Sequence, residues 1–404
     1  MSKTQPVRDW ASDFEVLDPA YVEDPFPVWK ALRGSCPIAH TNRRGSTWMP
    51  TRYTDVTAIA HDVEHFSSRK VAVIPFVRDA KGEGGPPPLL EHGLPPISSD
   101  PPLHTWTRRL LLPWFSHSRV ESYEPFTREL CSGLVQALAP AGRADAAADY
   151  AQQVPVRVIA RILGVPAELS DTFTGWVRDV LEFAHDPQRR SRGVTGLLGF
   201  LTNEVARRRE QPGEDLLSEL LTTEVDGAPV EDSVVMGTAA LVLIAGIDTT
   251  WSAIGSSLWH LATHEEDRKL LASDPEIMPT AIEELLRAYS PVTMARVVNS
   301  DFDYGGCPMR AEDKVLMNFP AANRDPGEFE DPDTVKLDRA HNRHVAFGSG
   351  IHRCAGSNLA RMELRVAIEE WLRVVPDFRL APGERVTWAG GQVRGPRSLP
   401  VVFG

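Results

Sequence analysis

A chain of 404 residues, 42% of them hydrophobic and 24% charged, has material for a large core. Its net charge of −12 disfavours binding to nucleic acid or an anionic membrane, although a local basic patch is still compatible with it. Cys36, Cys131, Cys307 and Cys354 are scattered without CxxC pairing, which argues against a disulfide scaffold and for a reducing compartment.

The N-terminal stretch MSKTQPVRDWASDFEVLDPAYVEDPF has no apolar run, so neither a signal peptide nor a membrane anchor is expected. STWMPTRY (46–53) reads as a strand. KGEGGPPPLLEHGLPPISSDPP (81–102) is dense in glycine and proline and reads as an irregular loop. A loop this long inside a compact domain is usually functional or mobile. Helical periodicity then runs over 103–115, 119–137, 154–165 and 170–184. HDPQRRSRG (185–193) breaks it, which gives an inter-helix loop over 184–195, and the pattern resumes over 197–210. PGEDLLSELL (212–221) adds another helix start. Residues 233–263 are nearly free of charge and long enough to span a bilayer. Asp248 sits at their centre, where a carboxylate in lipid costs about 3 kcal/mol, and Gly, Ser and Thr dilute the stretch. A buried central helix is therefore expected. A helix over 275–289 follows, and short strand signals occupy 295–306, 314–320 and 396–404. The sum is a mainly α fold with a small β portion in a single large domain over 1–404, with mobile segments at 71–98 and 184–195.

FGSGIHRCAG (347–356) sets one cysteine among three glycines. An inert buried thiol is one account of Cys354. A nucleophile would need a base, and His352, two residues away, guarantees no geometry. Zinc would need regularly spaced partner ligands, and none is visible. Axial ligation of haem iron by thiolate accounts for the neighbours as well. Gly348, Gly350 and Gly356 allow positive φ and close approach to a flat macrocycle. Backbone N–H groups can donate to the sulfur, and Phe347 shields it. His352 and Arg353 offer donors, and the helix that follows points its positive end at the thiolate.

The stretch resembles the haem-binding signature of the cytochrome P450 family, FGxGxHxCxG, at every fixed position. The likeness covers essentially the whole chain and is similar to the soluble bacterial class. It implies the cytochrome P450 fold and haem b (iron protoporphyrin IX) ligated by Cys354. It also implies a monooxygenase that uses O2 and electrons drawn from NAD(P)H through ferredoxin reductase and ferredoxin. No flavin or iron–sulfur module is visible, so the donor is expected to be a separate protein. A cytoplasmic monomer is the further expectation. A haem–thiolate peroxygenase, isomerase or dehydratase is one alternative, and a non-catalytic haem sensor another. The intact Asp248–Thr249 pair speaks against the first, and no output domain is visible for the second.

AGIDTT (245–250) lies mid-way along the central helix. By themselves Asp248 and Thr249 read as a paired buried carboxylate and a hydroxyl bonded one turn back. A buried carboxylate beside a threonine is costly without a role. Ala245 and Gly246 suggest a helix passing close to something flat. The stretch resembles the family's acid–alcohol pair, which implies that Thr249 hydrogen-bonds dioxygen and Asp248 relays protons. EELLR (283–287) places Glu284 and Arg287 at i, i+3, by itself an ordinary surface pair. It resembles the family's ExxR motif, which with Arg339 implies a buried ion network that positions the cysteine loop. His104 and Arg108, at i, i+4, resemble the family's HxxxR. With Arg296 and His352 they are the implied partners of the haem propionates, and Ala245, Phe347, Gly348 and Gly356 would border the macrocycle.

Leu241 and Val242 precede Thr249 on a similar helix face and are candidates for the substrate wall. So are Thr293, Phe76 in the 71–98 loop (with Val73, Ile74, Leu89 and Leu90), and Phe173, Trp176, Val180 and Phe183 as a mobile roof. Their apolar character predicts a largely apolar ligand. Arg109, Arg353, Arg361 and Arg365 would suit an acidic electron donor behind the cysteine, and a solvated helix face accounts for them equally well.

Overall fold

The computed structural model describes residues 5–75 and 90–403. Its longest helix, Asp232–Thr263, is apolar on nearly every side and leaves no face for water. Other helices therefore wrap it: Gln153–Leu163, Ser170–Leu181, Pro187–Glu210 and Ser357–Val374 all pack against it. Protein buries 78% of its most apolar window, so its hydropathy is that of a core helix and not of a membrane span. A Cβ on Gly246 would overlap the Ile159 side chain, and one on Gly255 would come within 2.8 Å of Pro396. Gly246 therefore makes room for a neighbouring helix. Gly246→Ala should destabilise the protein by about 1–3 kcal/mol through overpacking, seen as a lower urea midpoint at unchanged slope.

The β portion is small and discontinuous, as expected. Its main sheet has five strands in the order Ile38–Thr41, Thr47–Pro50, Lys314–Met317, Met294–Val298, Phe66–Ser67. Only the pairing of Thr47–Pro50 with Lys314–Met317 is parallel. The register sets Arg296 opposite Val315 in a strand buried along its whole length. The segment 295–306, read as one strand, divides instead. A hairpin, Phe302–Tyr304 with Cys307–Met309, turns at Gly305 and Gly306, both left-handed. The chain ends in two further antiparallel pairings, Thr387–Ala389 with Gly395–Ser398 and Phe378–Leu380 with Pro400–Phe403.

The loop expected over 184–195 is mostly helix. Asp186 caps Pro187–Glu210, its carboxylate accepting from the N–H groups of Gln188 and Arg189, with Pro187 at the first helical position. The Asp-Pro pair that read as a break is a helix start. Two of the three arginines that interrupted the apolar pattern, Arg189 and Arg192, are held by Asp179, and the third, Arg190, donates to the Ile74 and Pro75 carbonyls. Of the 71–98 loop, residues 76–89 lie outside the described residues, Phe76 and Leu89 among them.

Candidate active site

Cys354 follows a short turn, Gly350–His352, and precedes the helix Ser357–Val374. Gly348 and Gly350 adopt φ of +73° and +69°. A Cβ on Gly350 would overlap the Ala60 carbonyl, so this loop lies directly on the helix Tyr53–His61. Gly356 departs from the expectation of positive φ. It sits at φ −84° because it leads into a right-handed helix, and its N–H, close to the Cys354 sulfur, favours the thiolate. Cys354 in turn donates its own N–H to the Phe347 carbonyl at 2.8 Å. The thiol is exposed, yet dense protein around it pushes its pKa up. An accessible atom in dense surroundings faces an internal crevice, not the outer surface. The Gly356 N–H and the charges of Arg108, Arg353 and Arg361 oppose that rise and favour the thiolate.

Four basic side chains gather at one edge of this crevice. His104 and Arg108 come from the helix Leu103–Leu111, Arg296 from its buried strand and His352 from the cysteine loop. The His104 and His352 rings stand 4.3 Å apart. Among the described residues neither His104 nitrogen has a partner of good geometry, although the Ile351 carbonyl is close. His352 Nε2 lies 2.8 Å from Ser68 Oγ. Arg296, 4% exposed, donates among the described residues only to the neighbouring Ala295 carbonyl. Burial lowers Arg296 to about 10. Burial, then the charges of Arg296, His104 and Arg108, lower His352 to about 2. Such mutually repelling donors call for anionic acceptors, and two carboxylates would satisfy them. An accessible thiol with N–H support beside a cluster of under-satisfied donors fits haem with its two propionates.

The central helix carries a narrow, partly open stripe. Ala245, Gly246, Thr249 and Ala253 are partly exposed while most residues around them are buried, and Leu241 lies one turn further along the same face. Thr249 Oγ1 donates back to the Ala245 carbonyl at 2.8 Å. Asp248 is buried, and Arg397 Nη2 donates to its Oδ1 at 2.6 Å. Burial raises the Asp248 pKa, and Arg397 opposes the rise. Arg397 also donates to Ser252 Oγ at 3.1 Å and to Glu182 Oε2 at 3.1 Å, and lies 4.2 Å over the Trp251 ring. Glu182 accepts two further bonds from Arg178 on the helix Ser170–Leu181. An ion chain thus joins Asp248 to the helix above it. Sequence reading missed Arg397, which looked like an ordinary residue of a C-terminal strand 149 positions away from Asp248.

Phe173, Trp176 and Val180 fill the seam between Ser170–Leu181 and Pro187–Glu210. Trp176 takes the space left by Gly196, Val180 lies against Gly193, and Phe173 meets Phe200 edge-on at 5.0 Å. Arg178 and Glu182, not these three, reach toward Asp248. Phe183 stacks under Arg189. Leu241 and Val242 are buried. Thr293 lines a small cavity walled by Tyr21, Phe26, Tyr289 and Arg394.

Glu284 and Arg287 form a doubly bonded pair at 2.7 and 2.8 Å, both fully buried. Arg339 Nε donates to Glu284 Oε2 at 2.9 Å, the Lys336 N–H to Oε1 at 2.9 Å, and Asn342 Nδ2 to Oε2 at 3.2 Å. Arg287 spends its other donors on the carbonyls of Asn323, Pro332 and Thr334. The network therefore ties the helix Met278–Ala288 to the irregular chain that leads into the cysteine loop.

Of the four arginines expected behind the cysteine, Arg109 and Arg353 are exposed, next to the exposed apolar Leu112 and Ile351. Arg361 pairs with Glu283, and Arg365 with Glu124 and Glu369.

Residues 191–386 match the family model described as cytochrome P450. The chain is 35% identical over 396 residues to the vitamin D(3) 25-hydroxylase of Pseudonocardia autotrophica, covering 96% of each. It is 35% identical over 364 residues to the mycinamicin IV hydroxylase/epoxidase of Micromonospora griseorubida, covering 88% of this chain and 89% of the relative. Its fold superposes on the crystal structure of CYP109E1 from Bacillus megaterium in complex with testosterone, with a TM-score of 0.86 at 27% identity, covering 96% and 100% of the two chains. With the cysteine loop, the basic cluster and the open stripe of the central helix in place, these likenesses settle the affiliation: the chain belongs to the cytochrome P450 family.

Proposed function

We propose that this protein is a haem–thiolate monooxygenase that transfers one oxygen atom from O2 to a largely apolar small molecule, into a C–H bond by hydroxylation or O-demethylation or across a C=C bond by epoxidation. The carrying observation is the accessible Cys354 thiol, supported by the Gly356 N–H and facing a crevice bordered by positive-φ glycines. When bound, haem supplies two-electron reduction of dioxygen and cleavage of its O–O bond, one oxygen going to the substrate and the other to water. The chain's residues bind, orient and move protons. Cys354 ligates the iron as thiolate. His104, Arg108, Arg296 and His352 take the propionates, and in doing so satisfy donors that otherwise repel one another. Ala245 sits on the open stripe, where its small side chain leaves space beside the macrocycle.

Thr249 and Asp248 manage protons. The Thr249 hydroxyl, released from the Ala245 carbonyl, donates into the crevice. Asp248 carries protons inward, its carboxylate held by Arg397. Thr249→Ala should retain haem and oxygen consumption while diverting electrons to peroxide, measured as product and peroxide formed per NAD(P)H consumed. Unchanged product yield would count against the relay.

Leu241, Val242 and Phe76 are the proposed surroundings of the substrate, whereas Phe173, Trp176 and Val180 pack into the seam between two helices and Thr293 lines a separate cavity. The relatives named for vitamin D(3) and mycinamicin IV, and the testosterone held by CYP109E1, support a largely apolar ligand. Electrons come from NAD(P)H through ferredoxin reductase and a ferredoxin, which docks where Arg109, Arg353, Leu112 and Ile351 combine exposed charge with exposed apolar surface. The working form is a cytoplasmic monomer. The test is the spectrum of the reduced, carbon-monoxide-treated protein. A Soret band at the thiolate-ligated position is expected, and its absence would end the reading.

A further inference from the structure

Two adjacent glutamates on one helix serve different networks. Glu284 turns to the chain leading into the cysteine loop, and Glu283 turns to the helix that follows it. Glu283 accepts from Arg361 Nε at 2.6 Å and Nη2 at 2.8 Å. His344 Nε2 lies 3.0 Å from Glu283 Oε2, while its Nδ1 accepts the Ala346 N–H at 3.2 Å. Arg361 is the guanidinium that pairs with Glu283 among the described residues.

Arg361 stands on the cysteine helix, and its guanidinium lies 4.4 Å from the centre of the Phe347 ring. The His344 ring is 6.0 Å from the same ring. Phe347 is tied to the ligand as well, because its carbonyl accepts the Cys354 N–H at 2.8 Å. Arg361 lies about one turn into the helix that begins three residues after Cys354. Neither member of the Glu283–Arg361 pair is more than one-third exposed, so solvent screens the pair only in part.

We propose that the Glu283–Arg361 pair, seated on Phe347, sets the electron affinity of the iron held by Cys354, with Glu283 a positioning residue that fixes and balances the Arg361 charge. The inference rests on ligation by Cys354. Reduction adds one negative charge to the iron–thiolate unit. A nearby cation favours that charge, and a carboxylate bonded to the cation cancels most of its field. Without Glu283 the arginine stands uncompensated. Without Arg361 the carboxylate does. The two losses act with opposite signs, whereas damage to the loop alone would move both variants the same way.

The experiment is spectroelectrochemical reduction of the haem-loaded full chain. Glu283→Gln should raise the midpoint and Arg361→Gln should lower it. Each shift should be about tenfold in the ferrous-to-ferric ratio at fixed potential, ~59 mV for a one-electron couple. The double variant should return towards the parent. Both single variants should keep the thiolate Soret band of the carbon monoxide adduct. If Glu283→Gln loads no haem, Arg361→Lys against Arg361→Gln decides: the lysine variant should stay near the parent and the glutamine variant fall. Shifts of equal sign, or none with the thiolate band intact, would overturn the proposal. A parent protein with no thiolate band would overturn the ligation itself, a distinguishable result.

Discussion

Glu284→Ala yields a chain that does not retain haem and is destabilised by about 3–5 kcal/mol. The parent carboxylate is fully buried and accepts from Arg287, Arg339, Asn342 and the Lys336 N–H. Removing it leaves two guanidinium groups in low dielectric with no counter-charge. Arg287 still holds the carbonyls of Asn323, Pro332 and Thr334, so the segment is not simply released. It is held by an uncompensated charge, and the chain leading to Phe347 and Cys354 loses its anchor. Glu284→Gln keeps the shape and two acceptor lone pairs but not the charge, and should recover only part of the loss. The measurements are urea unfolding of the haem-free chain and the haem-to-protein ratio after reconstitution. A normal holoprotein from Glu284→Ala would show that the network is dispensable.

Arg397→Leu carries the second large effect. It leaves Asp248 buried with no cation bonded to it and removes one of the two arginines on Glu182. At neutral pH the loss should be about 3–5 kcal/mol. Asp248 already has a raised pKa from burial, and the substitution raises it further. The sign follows. A carboxyl whose folded pKa exceeds its unfolded value is favoured while protonated, and its cost appears as pH rises through the folded pKa. The difference in stability between variant and parent should therefore shrink as pH falls. Turnover at neutral pH should drop by about 10²-fold, the low end of what a positioned proton carrier contributes. The thiolate Soret band should persist, because Arg397 lies on the Asp248 side of the central helix. A stability difference that stays constant as pH falls from neutral through the ordinary carboxyl range would exclude Asp248 as the group that Arg397 serves. Arg397→Lys restores the charge without the fork and should recover most of the stability.

Some of this protein is written in short segments, and those parts were legible. FGSGIHRCAG combines a thiol, left-handed glycines and a following helix within ten residues, so the local chain dictates most of its geometry. The all-round apolarity of 233–263 dictates burial, and the pairing of Glu284 with Arg287 needs only one helical turn. Local reading erred where one residue type serves two purposes. Asp186-Pro187 is as good a helix start as a break.

Tertiary packing decided the rest. Arg397 meets Asp248 only because the C-terminal hairpin packs on the central helix, and no periodicity announces a partner at that distance. Trp176 and Phe173 turn toward Pro187–Glu210 because Gly193 and Gly196 open that seam. Arg361 reads as one more basic residue on an amphipathic helix until Glu283 and Phe347 close on it. The division has a physical cause. Backbone conformation and burial follow from neighbours along the chain, whereas the partner of a buried charge is whatever the completed fold brings within hydrogen-bonding distance.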